Sequence, residues 1–425
     1  MGLDEHLFRR EFGRIVAALV RIFGVHDLAL AEDVAQDACV RALEVWKTQG
    51  LPDNPAAWLT ATAKHRAIDV LRRERTARTF APAVARALED GAIETVLDDA
   101  FAGVRDEQLR MMFTCCQPRL PEEVQLALVL NILCGFGAPE IAAAFLTSRA
   151  AIEKRITRGK QQLASDRAWF ELDDAELPKR LATVQRALYL LFSEGYHGSS
   201  AVRSELCAEA LRLVALLCEL PAAATPETHA LAALMCLHAA RLPARLDADG
   251  ELELFVDQDR GRWDHALVTE GLAWFERAAT GETLTAFHTE AAIAVVHASA
   301  VSAERTDWNA IVELYDRLMT IAPTPVIALN RGVAIGQRDG AVAGLRALRE
   351  IADPERLDRY PFFPAALGEL ELRRGDTSAA RACFRSALTL ARNDAERHFL
   401  EKRLAGIVDV ENRAPAPTHG RKDKQ

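Results

Sequence analysis

The chain has 425 residues, a formal net charge of −9 and a hydrophobic fraction of 50%. This length allows two or three domains, each with its own core, and the negative charge excludes a uniformly basic surface. Alanine, leucine and arginine dominate, and β-branched runs are scarce. The composition therefore predicts an all-α fold.

The eight cysteines form no CxxC pair and no cysteine–histidine spacing of a zinc site. We expect reduced thiols in the core, with no metal or other cofactor. The charged N-terminus argues against a signal peptide, and no uncharged run approaches the ~20 residues of a membrane span. The expected location is the cytoplasm.

A helical pattern covers residues 5–47, with a break at 24–27. In the segment 31–46, apolar positions recur at helical spacing. These positions are Val34, Ala38, Val40, Ala42 and Val45. The remaining face carries Glu32, Asp33, Gln36, Asp37 and Arg41. Such an acidic face is either solvated or a docking surface for a basic partner, and both interpretations stay open.

The segment 54–78 predicts a helix with a basic face. Asn54 is placed as its N-cap. The apolar stripe consists of Leu59, Ala63, Ala67 and Val70. The cations of the other face are Lys64, Arg66, Arg72, Arg73, Arg75 and Arg78. Because Trp58 can stack on a base while cations neutralise phosphates, the pattern is typical of contact with single-stranded or opening DNA. The alternative is a solvated basic helix with Trp58 in the core.

Residues 79–105 are weakly patterned and predict a linker with little fixed structure. After helices resume at residue 106, the segment 137–163 predicts a short helix, a three-residue turn and a longer basic helix. Ile152 and Ile156 of this last helix face inward, and its cations face outward. The pattern indicates a helix-turn-helix whose second helix enters the major groove, although two helices also meet this way in ordinary bundles.

In this order, these segments resemble the sigma-70 family of RNA polymerase sigma factors, in particular the extracytoplasmic-function group, which keeps only regions 2 and 4. The segment AEDVAQDACVRALEVW (31–46) is similar to region 2.2, which grips the clamp helices of the largest catalytic polymerase subunit. The segment PAAWLTATAKHRAIDVLRRE (55–74) resembles regions 2.3 and 2.4, which open the −10 element and hold its non-template strand. Residues 121–163 resemble region 4, whose recognition helix reads the −35 element.

The resemblance implies region 2 at 5–78, region 4 at 106–166 and three sets of contact residues. Candidate contacts with core RNA polymerase are Asp33, Gln36, Asp37 and Arg41. Candidate contacts with the −10 element of promoter DNA are Trp58, Lys64, Arg66, Arg72 and Arg73. Candidate contacts with the −35 element are Ser148, Arg149, Lys154, Arg155 and Arg158. The recognition helix begins Ser-Arg-Ala-Ala, where many relatives carry a glycine-containing start, so no base preference is transferred.

The remaining residues are more than a two-region sigma factor needs. We interpret 175–300 as a helical extension domain and 301–408 as tetratricopeptide-like repeats, because 329–348 aligns with 367–388 at an offset of 36. Such arrays usually bind a protein on a concave surface, and a purely structural domain is the alternative. The arrangement looks like the sigma factor subgroup with a tetratricopeptide-like extension, which implies built-in control without a membrane anti-sigma factor.

Three shorter segments of the extension complete the interpretation. In 246–264, Asp247, Asp249 and Gly250 suggest calcium, but the glycine stands at loop position 4, where an EF-hand needs it at position 6, so we expect a polar turn or small hairpin. The stretches 188–196 and 257–263 resemble stretches of the same subgroup and receive no role from the resemblance. We expect the tail, 412–425, to be disordered.

The leading hypothesis is a promoter-specificity subunit that binds core RNA polymerase, with the extension as a regulatory or interaction module. The alternative is a polymerase-independent helix-turn-helix regulator with partner-sensing repeats, which leaves 31–46 and Trp58 without a role. The sequence contains no P-loop, GxSxG, HExxH or glycine-rich dinucleotide turn, so no enzyme is predicted.

Overall fold

The computed structural model describes residues 5–74, 92–102, 104–117, 119–144, 147–165, 177–197, 204–247, 252–392 and 394–413. The predicted all-α fold is confirmed, since these residues form 19 α-helices and their strand-like pairing is a single antiparallel bridge between Leu246 and Leu252. No helix within the described ranges is long and apolar enough to cross a membrane. The chain divides into two compact units, the first formed by 1–198 with 203–228 and the second by 199–202 with 229–425.

Ten helices lie within the described part of the first unit. They are α1 (Glu5–Phe23), α2 (Leu28–Gln49), α3 (Pro55–Glu74), α4 (Ile93–Ala102), α5 (Val104–Cys115), α6 (Glu122–Leu128), α7 (Ala138–Ala144), α8 (Arg149–Ser165), α9 (Leu177–His197) and α10 (Ser204–Glu219). A π-helical turn, Val129–Leu133, continues α6. The predicted N-cap of α3 is confirmed, because the Asn54 side-chain oxygen accepts a hydrogen bond from the Ala57 N–H at 3.0 Å.

The middle of helix α1 is buried on all sides. Each residue from Ile15 to Val20 is at most 1% exposed, although a surface helix keeps a polar face in water. Helices α2 and α3 contact α1, and so do α5 and the π-helical turn. Gly13 allows the π-helical turn to approach α1 closely, since a Cβ atom there would lie 2.1 Å from the Leu133 carbonyl oxygen.

The expectation of little fixed structure over 79–105 is wrong for its second part. Residues 75–91 lie outside the described residues, but 93–102 form α4, which contacts α1. Ile93 and Leu97 are spaced by one helical turn and are buried, and this burial stabilises the helix.

The extension begins inside the first unit. Its helices α9 and α10 pack on α5, and α9 also packs on α6. Arg180 donates a hydrogen bond to the Phe113 carbonyl oxygen at 3.1 Å, and Arg212 donates one to the Gln108 side chain at 3.0 Å. A truncation near residue 167 would therefore expose apolar core, so point variants of the full chain test the extension more cleanly.

The second unit continues as a series of helical hairpins. Its helices are α11 (Pro226–Ala239, whose first three residues belong to the first unit), α12 (His265–Ala278), α13 (Ala286–Ser299), α14 (Trp308–Ile321), α15 (Pro325–Arg338), α16 (Ala341–Arg349), α17 (Phe362–Arg374), α18 (Thr377–Thr389) and α19 (Asp394–Arg413). From α13 onward each helix packs on the next. Residues 412 and 413 end α19, and the rest of the predicted tail lies outside the described residues.

The two aligned segments place a glycine at equivalent helix contacts. A Cβ atom on Gly332 of α15 would lie 2.4 Å from Leu348 of α16, and one on Gly368 of α17 would lie 3.1 Å from Phe384 of α18. Phe384 is fully buried. In both hairpins, a large side chain of the second helix therefore fills the space that the glycine of the first helix leaves.

The stretch 257–263 has a structural role. Arg260 donates hydrogen bonds to the carbonyl oxygens of His297 and Ala300 at 2.7 and 2.5 Å, and to the Thr306 hydroxyl at 2.9 Å. These bonds satisfy carbonyl groups at the C-terminal end of α13. In the segment 246–264, where a polar turn or small hairpin is predicted, the described residues show hairpin-like pairing: the bridge described above and a hydrogen bond from the Glu253 N–H to the Arg245 carbonyl oxygen at 3.0 Å. The residues between the paired positions, 248–251, lie outside the described residues.

His297 should make the second unit sensitive to acid. Burial, together with the nearby Arg241 and Arg260, lowers the pKa of its imidazole to about 3. The unfolded chain binds a proton there below about pH 6.5 and the folded chain does not, so stability falls as pH drops from 6.5 toward 3, by up to about 1.4 kcal/mol per pH unit. Urea unfolding at pH 7 and pH 5 should show this loss in the natural protein and a smaller one in His297→Phe. An equal loss in both proteins would contradict the assignment.

Candidate nucleic-acid interface

One side of α2 carries the four candidate polymerase contacts. Asp33, Gln36, Asp37 and Arg41 are all exposed, and the opposite side of the helix is buried. Arg41 forms a 3.2 Å ion pair with Glu44, in which both side chains are more than half exposed. Such a pair contributes little to stability, so it leaves Arg41 available to a partner.

The expected place of Val40 on the apolar side of α2 is wrong. Val40 is 47% exposed and Leu43 is 43% exposed. They lie four and seven residues after Gln36 and therefore share its face, a placement that the helical spacing already indicates. The surface is thus acidic with an apolar patch, and apolar contact at the centre of an interface is a common basis of protein recognition.

Trp58 of α3 is half-buried. The sequence left two interpretations open, a ring that stacks on a base and a ring in the core, and the observed burial is intermediate between them. Its ring meets the Trp46 ring edge to face at 5.4 Å, and Trp46 in turn contacts Phe8 at 5.3 Å. Trp46 is 5% exposed. Part of the Trp58 ring is therefore fixed by packing, and the accessible part is what a base could contact.

The candidate −10 cations fall into two groups. Lys64 pairs with Asp98 of α4 at 2.7 Å, and Arg66 pairs with Asp37 of α2 at 2.8 Å. Arg72 and Arg73 are exposed at the C-terminal end of α3 and have no ion pair with any residue that the structure describes. Arg75 and Arg78 lie outside the described residues. The two exposed arginines are therefore the cations of this set most available to phosphate.

A cleft of about 380 Å³ between α2 and α3 joins two of the predicted sets. Asp33, Gln36 and Asp37 line its α2 side, and Arg66 and Arg73 line its α3 side. The Arg66–Asp37 pair crosses between the two helices. The candidate polymerase and −10 residues therefore form neighbouring parts of one surface.

The predicted helix-turn-helix is present in the described residues as α7 and α8. The Ser148 hydroxyl accepts a hydrogen bond from the Ala151 N–H at 3.3 Å and so caps the first turn of α8. Ile152 and Ile156 are buried, as predicted. A Cβ atom on Gly159 would lie 2.8 Å from Leu128, so a glycine is needed where α8 crosses α6.

The candidate −35 cations are not equivalent. Arg149 pairs with Glu153 at 2.7 Å on the exposed surface. The expected outward direction of Arg155 is wrong, because its half-buried side chain forms an ion pair with Glu123 of α6. Lys154 and Arg158 are exposed, with no ion pair among the described residues.

Sequence reasoning missed two members of the same exposed face of α8. Thr157 and Gln161 are exposed and stand three and seven residues after Lys154, so they share its side of the helix. Hydroxyl and amide side chains are among those that read base edges in the major groove. A helix-turn-helix whose second helix presents such a face is typical of helical DNA-binding proteins.

Comparison with known families and proteins narrows this class. Residues 7–77 match the family model for Sigma-70 region 2, and residues 110–163 match that for Sigma-70, region 4. Residues 180–279 match a family of unknown function (DUF6596). An uncharacterized protein of Rhizobium meliloti (strain 1021) is 39% identical over 396 residues, which cover 92% of each chain. The ECF RNA polymerase sigma factor SigK of Mycobacterium ulcerans (strain Agy99) is 28% identical over 156 residues, which cover 36% of this chain and 76% of that protein.

The chain belongs to the sigma-70 family of RNA polymerase sigma factors, with the region 2 and region 4 content of the extracytoplasmic-function group. These regions imply core RNA polymerase and promoter DNA as partners, and sigma families are not enzyme families. The family matched at 180–279 assigns no role to the extension, and its match ends before the predicted tetratricopeptide-like repeats.

Proposed function

We propose that this chain directs core RNA polymerase to promoters, with a different helix for each task. The acidic and apolar face of α2 binds polymerase, α3 engages the −10 element, and the exposed face of α8 reads the −35 element. The observation that carries this proposal is the occurrence of both sigma regions in one chain, each with exposed cations on its DNA-binding helix. We expect it to act in the cytoplasm, where its partners are found.

The two arginines at the end of α3 are the main electrostatic contacts of the −10 surface in this proposal. Arg72 and Arg73 neutralise phosphates of the opened strand, while the accessible part of Trp58 contacts an unstacked base. Lys64 and Arg66 hold α3 against α4 and α2 through their ion pairs and so position this surface.

Removing the exposed cations of α8 should weaken promoter recognition at the −35 element. Lys154→Ala/Arg158→Ala is expected to lower affinity for promoter duplex about 30- to 900-fold, since each of the two charge-assisted contacts contributes about 1–2 kcal/mol. The slope of log affinity against log salt concentration should become shallower by about 1.8. Quantitative footprinting of the polymerase complex between 50 and 200 mM salt measures both quantities.

A matched variant separates recognition from folding. Arg155→Ala removes a cation from the same helix, but this cation is already paired with Glu123, so we expect a smaller change in the salt dependence. If both variants change the salt dependence equally, the division into DNA-contacting and structural cations is wrong.

Binding to polymerase without DNA distinguishes a sigma factor from the alternative, a polymerase-independent helix-turn-helix regulator. The full chain titrated with purified core polymerase should form a one-to-one complex. A polymerase-independent regulator would form no such complex and would still bind specific DNA.

The extension fits a regulatory or interaction module. Consecutive antiparallel helices with glycines at equivalent contacts support a helical-hairpin array over 301–408. Hydrogen exchange of the full chain, alone and bound to polymerase, should then show protection within this array. Unchanged exchange there would favour a purely structural domain.

A further inference from the structure

Alternate helices of the helical-hairpin array form one face that carries three cations. Helices α15 and α17 contact each other, and Arg373 of α17 donates a hydrogen bond to the Gln337 side chain of α15 at 3.0 Å. Arg403 of α19 forms an ion pair with Glu369, which stands one turn before Arg373 on α17. Lys402 neighbours Arg403, and its side chain is 65% exposed. Since Glu369 neutralises one of the three cations, this basic face (Arg373, Lys402 and Arg403) keeps a net positive charge.

The segment 246–259 of the same unit has the opposite charge. It contains no lysine, arginine or histidine, and its six acids are Asp247, Asp249, Glu251, Glu253, Asp257 and Asp259. Leucine and phenylalanine stand among these acids at 252, 254 and 255. This acidic segment is therefore complementary in charge to the basic face and also carries apolar side chains.

The acidic segment reaches the basic face in the folded chain. Asp247 accepts a hydrogen bond from the Lys402 amine at 3.1 Å, although the two residues are 155 positions apart. Asp257 lies near α17, as its effect on Glu369 shows. Burial raises the pKa of the Glu369 carboxyl, Arg403 opposes this rise, and Asp257 adds to it. The described residues of the segment therefore approach both α17 and α19.

The two ends of the acidic segment are held differently. Phe255 is half-buried, with the Arg241 guanidinium 4.1 Å and the His297 ring 4.5 Å from the centre of its ring. At the other end, the pair of Asp247 with the largely exposed Lys402 contributes little to stability. The part of the segment before Phe255 can therefore leave the basic face while Phe255 stays in place.

We propose that the basic face binds an acidic, extended segment of a partner protein, and that the chain's own acidic segment occupies this face in the free protein until the partner displaces it. The inference rests on the interaction role proposed for the extension and names the chemistry of the partner. Within the described residues, the segment pairs with Lys402 and leaves the exposed Arg373 accessible, so a partner segment that meets both cations binds more tightly than the internal one.

A peptide copy of the chain's own segment is a direct probe of the basic face. The fluorescent peptide with the sequence of residues 246–254 carries four of the acids and omits Phe255, which stays in place. A tethered segment has an effective concentration of about 1 mM, so one with an intrinsic Kd of about 0.1 mM fills the face about nine-tenths of the time. Asp247→Lys in the full chain should therefore bind the peptide about 10-fold more tightly than the natural chain does. Fluorescence anisotropy measures both affinities without polymerase or DNA.

Three controls establish what the face recognises. Adding Arg373→Glu to Asp247→Lys should lower peptide affinity about 10-fold, since it removes a charged hydrogen-bond donor from the face. A peptide with asparagine and glutamine in place of its acids should bind no variant. A single-stranded oligonucleotide of equal charge should bind more weakly than the acidic peptide, because phosphates alone do not supply the apolar side chains.

Hydrogen exchange over 245–254 tests the occupancy of the face independently of the peptide. The Glu253 N–H is hydrogen-bonded to the Arg245 carbonyl oxygen in the natural chain. Lys402→Asp should speed exchange in this segment, and the charge swap Asp247→Lys/Lys402→Asp should restore slow exchange. Arg331→Asp is the matched control, because it breaks a 2.5 Å pair with Asp316 that joins α14 to α15 and does not involve the segment. This control should leave exchange over 245–254 unchanged.

Three results would overturn the inference. The first is that the acidic peptide binds neither the natural chain nor Asp247→Lys. The second is equal peptide affinity of these two proteins, which would show that the internal segment does not occupy the face. The third is binding of the oligonucleotide as tightly as the acidic peptide, which would show general attraction of anions. Failure of the chain to bind polymerase would instead overturn the proposed function, and it is recognised separately because the peptide and exchange measurements contain no polymerase.

Discussion

The double variant Asp33→Arg/Val40→Asp is expected to bind core RNA polymerase about 100-fold more weakly than the natural chain. Asp33 supplies exposed charge and Val40 supplies exposed apolar area on the same side of α2, and a few central residues usually carry most of the affinity of an interface. Titration of labelled full-length protein with core polymerase, without DNA, measures this effect.

This variant has two controls, a second double variant in the neighbouring loop and a measurement of thermal unfolding. Leu51→Asp/Asp53→Arg makes the same chemical changes at exposed positions after α2 and should leave polymerase affinity within about threefold. Thermal unfolding should be unchanged in both proteins. Asp37 is avoided because its loss would also release Arg66. Equal weakening by the two variants would show that α2 is not the specific contact.

The second large effect is expected at the end of α3. Arg72→Ala/Arg73→Ala should lower the yield of open promoter complexes about 10- to 100-fold while polymerase affinity stays unchanged. The reason is the loss of two exposed charges that have no ion pair among the described residues. The slope of log affinity for single-stranded DNA against log salt concentration should also become shallower by about 1.4. Permanganate footprinting of the −10 region detects the open complex.

A paired cation of α3 provides the control for the two exposed arginines. Arg66→Ala should reduce opening less, because Asp37 already neutralises Arg66. On a promoter with a pre-opened −10 bubble, the double variant should still bind more weakly than the natural chain. If the bubble restores full binding, these arginines act in strand separation and do not hold the separated strand.

Features governed by short sequence separation could be predicted. Asn54 as an N-cap and the inward Ile152 and Ile156 depend on one or two turns of helix, and all three predictions are confirmed. The aligned hairpins of the extension likewise follow from spacing alone.

The remaining features depend on contacts between distant segments. The burial of Ile15–Val20 on every side of α1 depends on α5 and the π-helical turn, which come much later in the chain and cover what α2 and α3 leave open. The direction of Arg155 depends on Glu123, which stands on another helix. The exposure of Val40 does not depend on a distant segment. Its spacing of four residues from Gln36 already places it on the polar face, although its hydrophobicity favours the core.

Transcription in a defined mixture tests the central claim most directly. The full chain would be added to purified core polymerase and a library of promoter fragments from the source genome, and RNA 5′ ends would be mapped. We expect start sites that appear only when both proteins are present, that share −35 and −10 elements, and that Asp33→Arg/Val40→Asp and Arg72→Ala/Arg73→Ala remove. Two results would contradict a role in promoter recognition. One is start sites that appear equally without the chain, and the other is no specific start site although the chain forms a stable complex with polymerase.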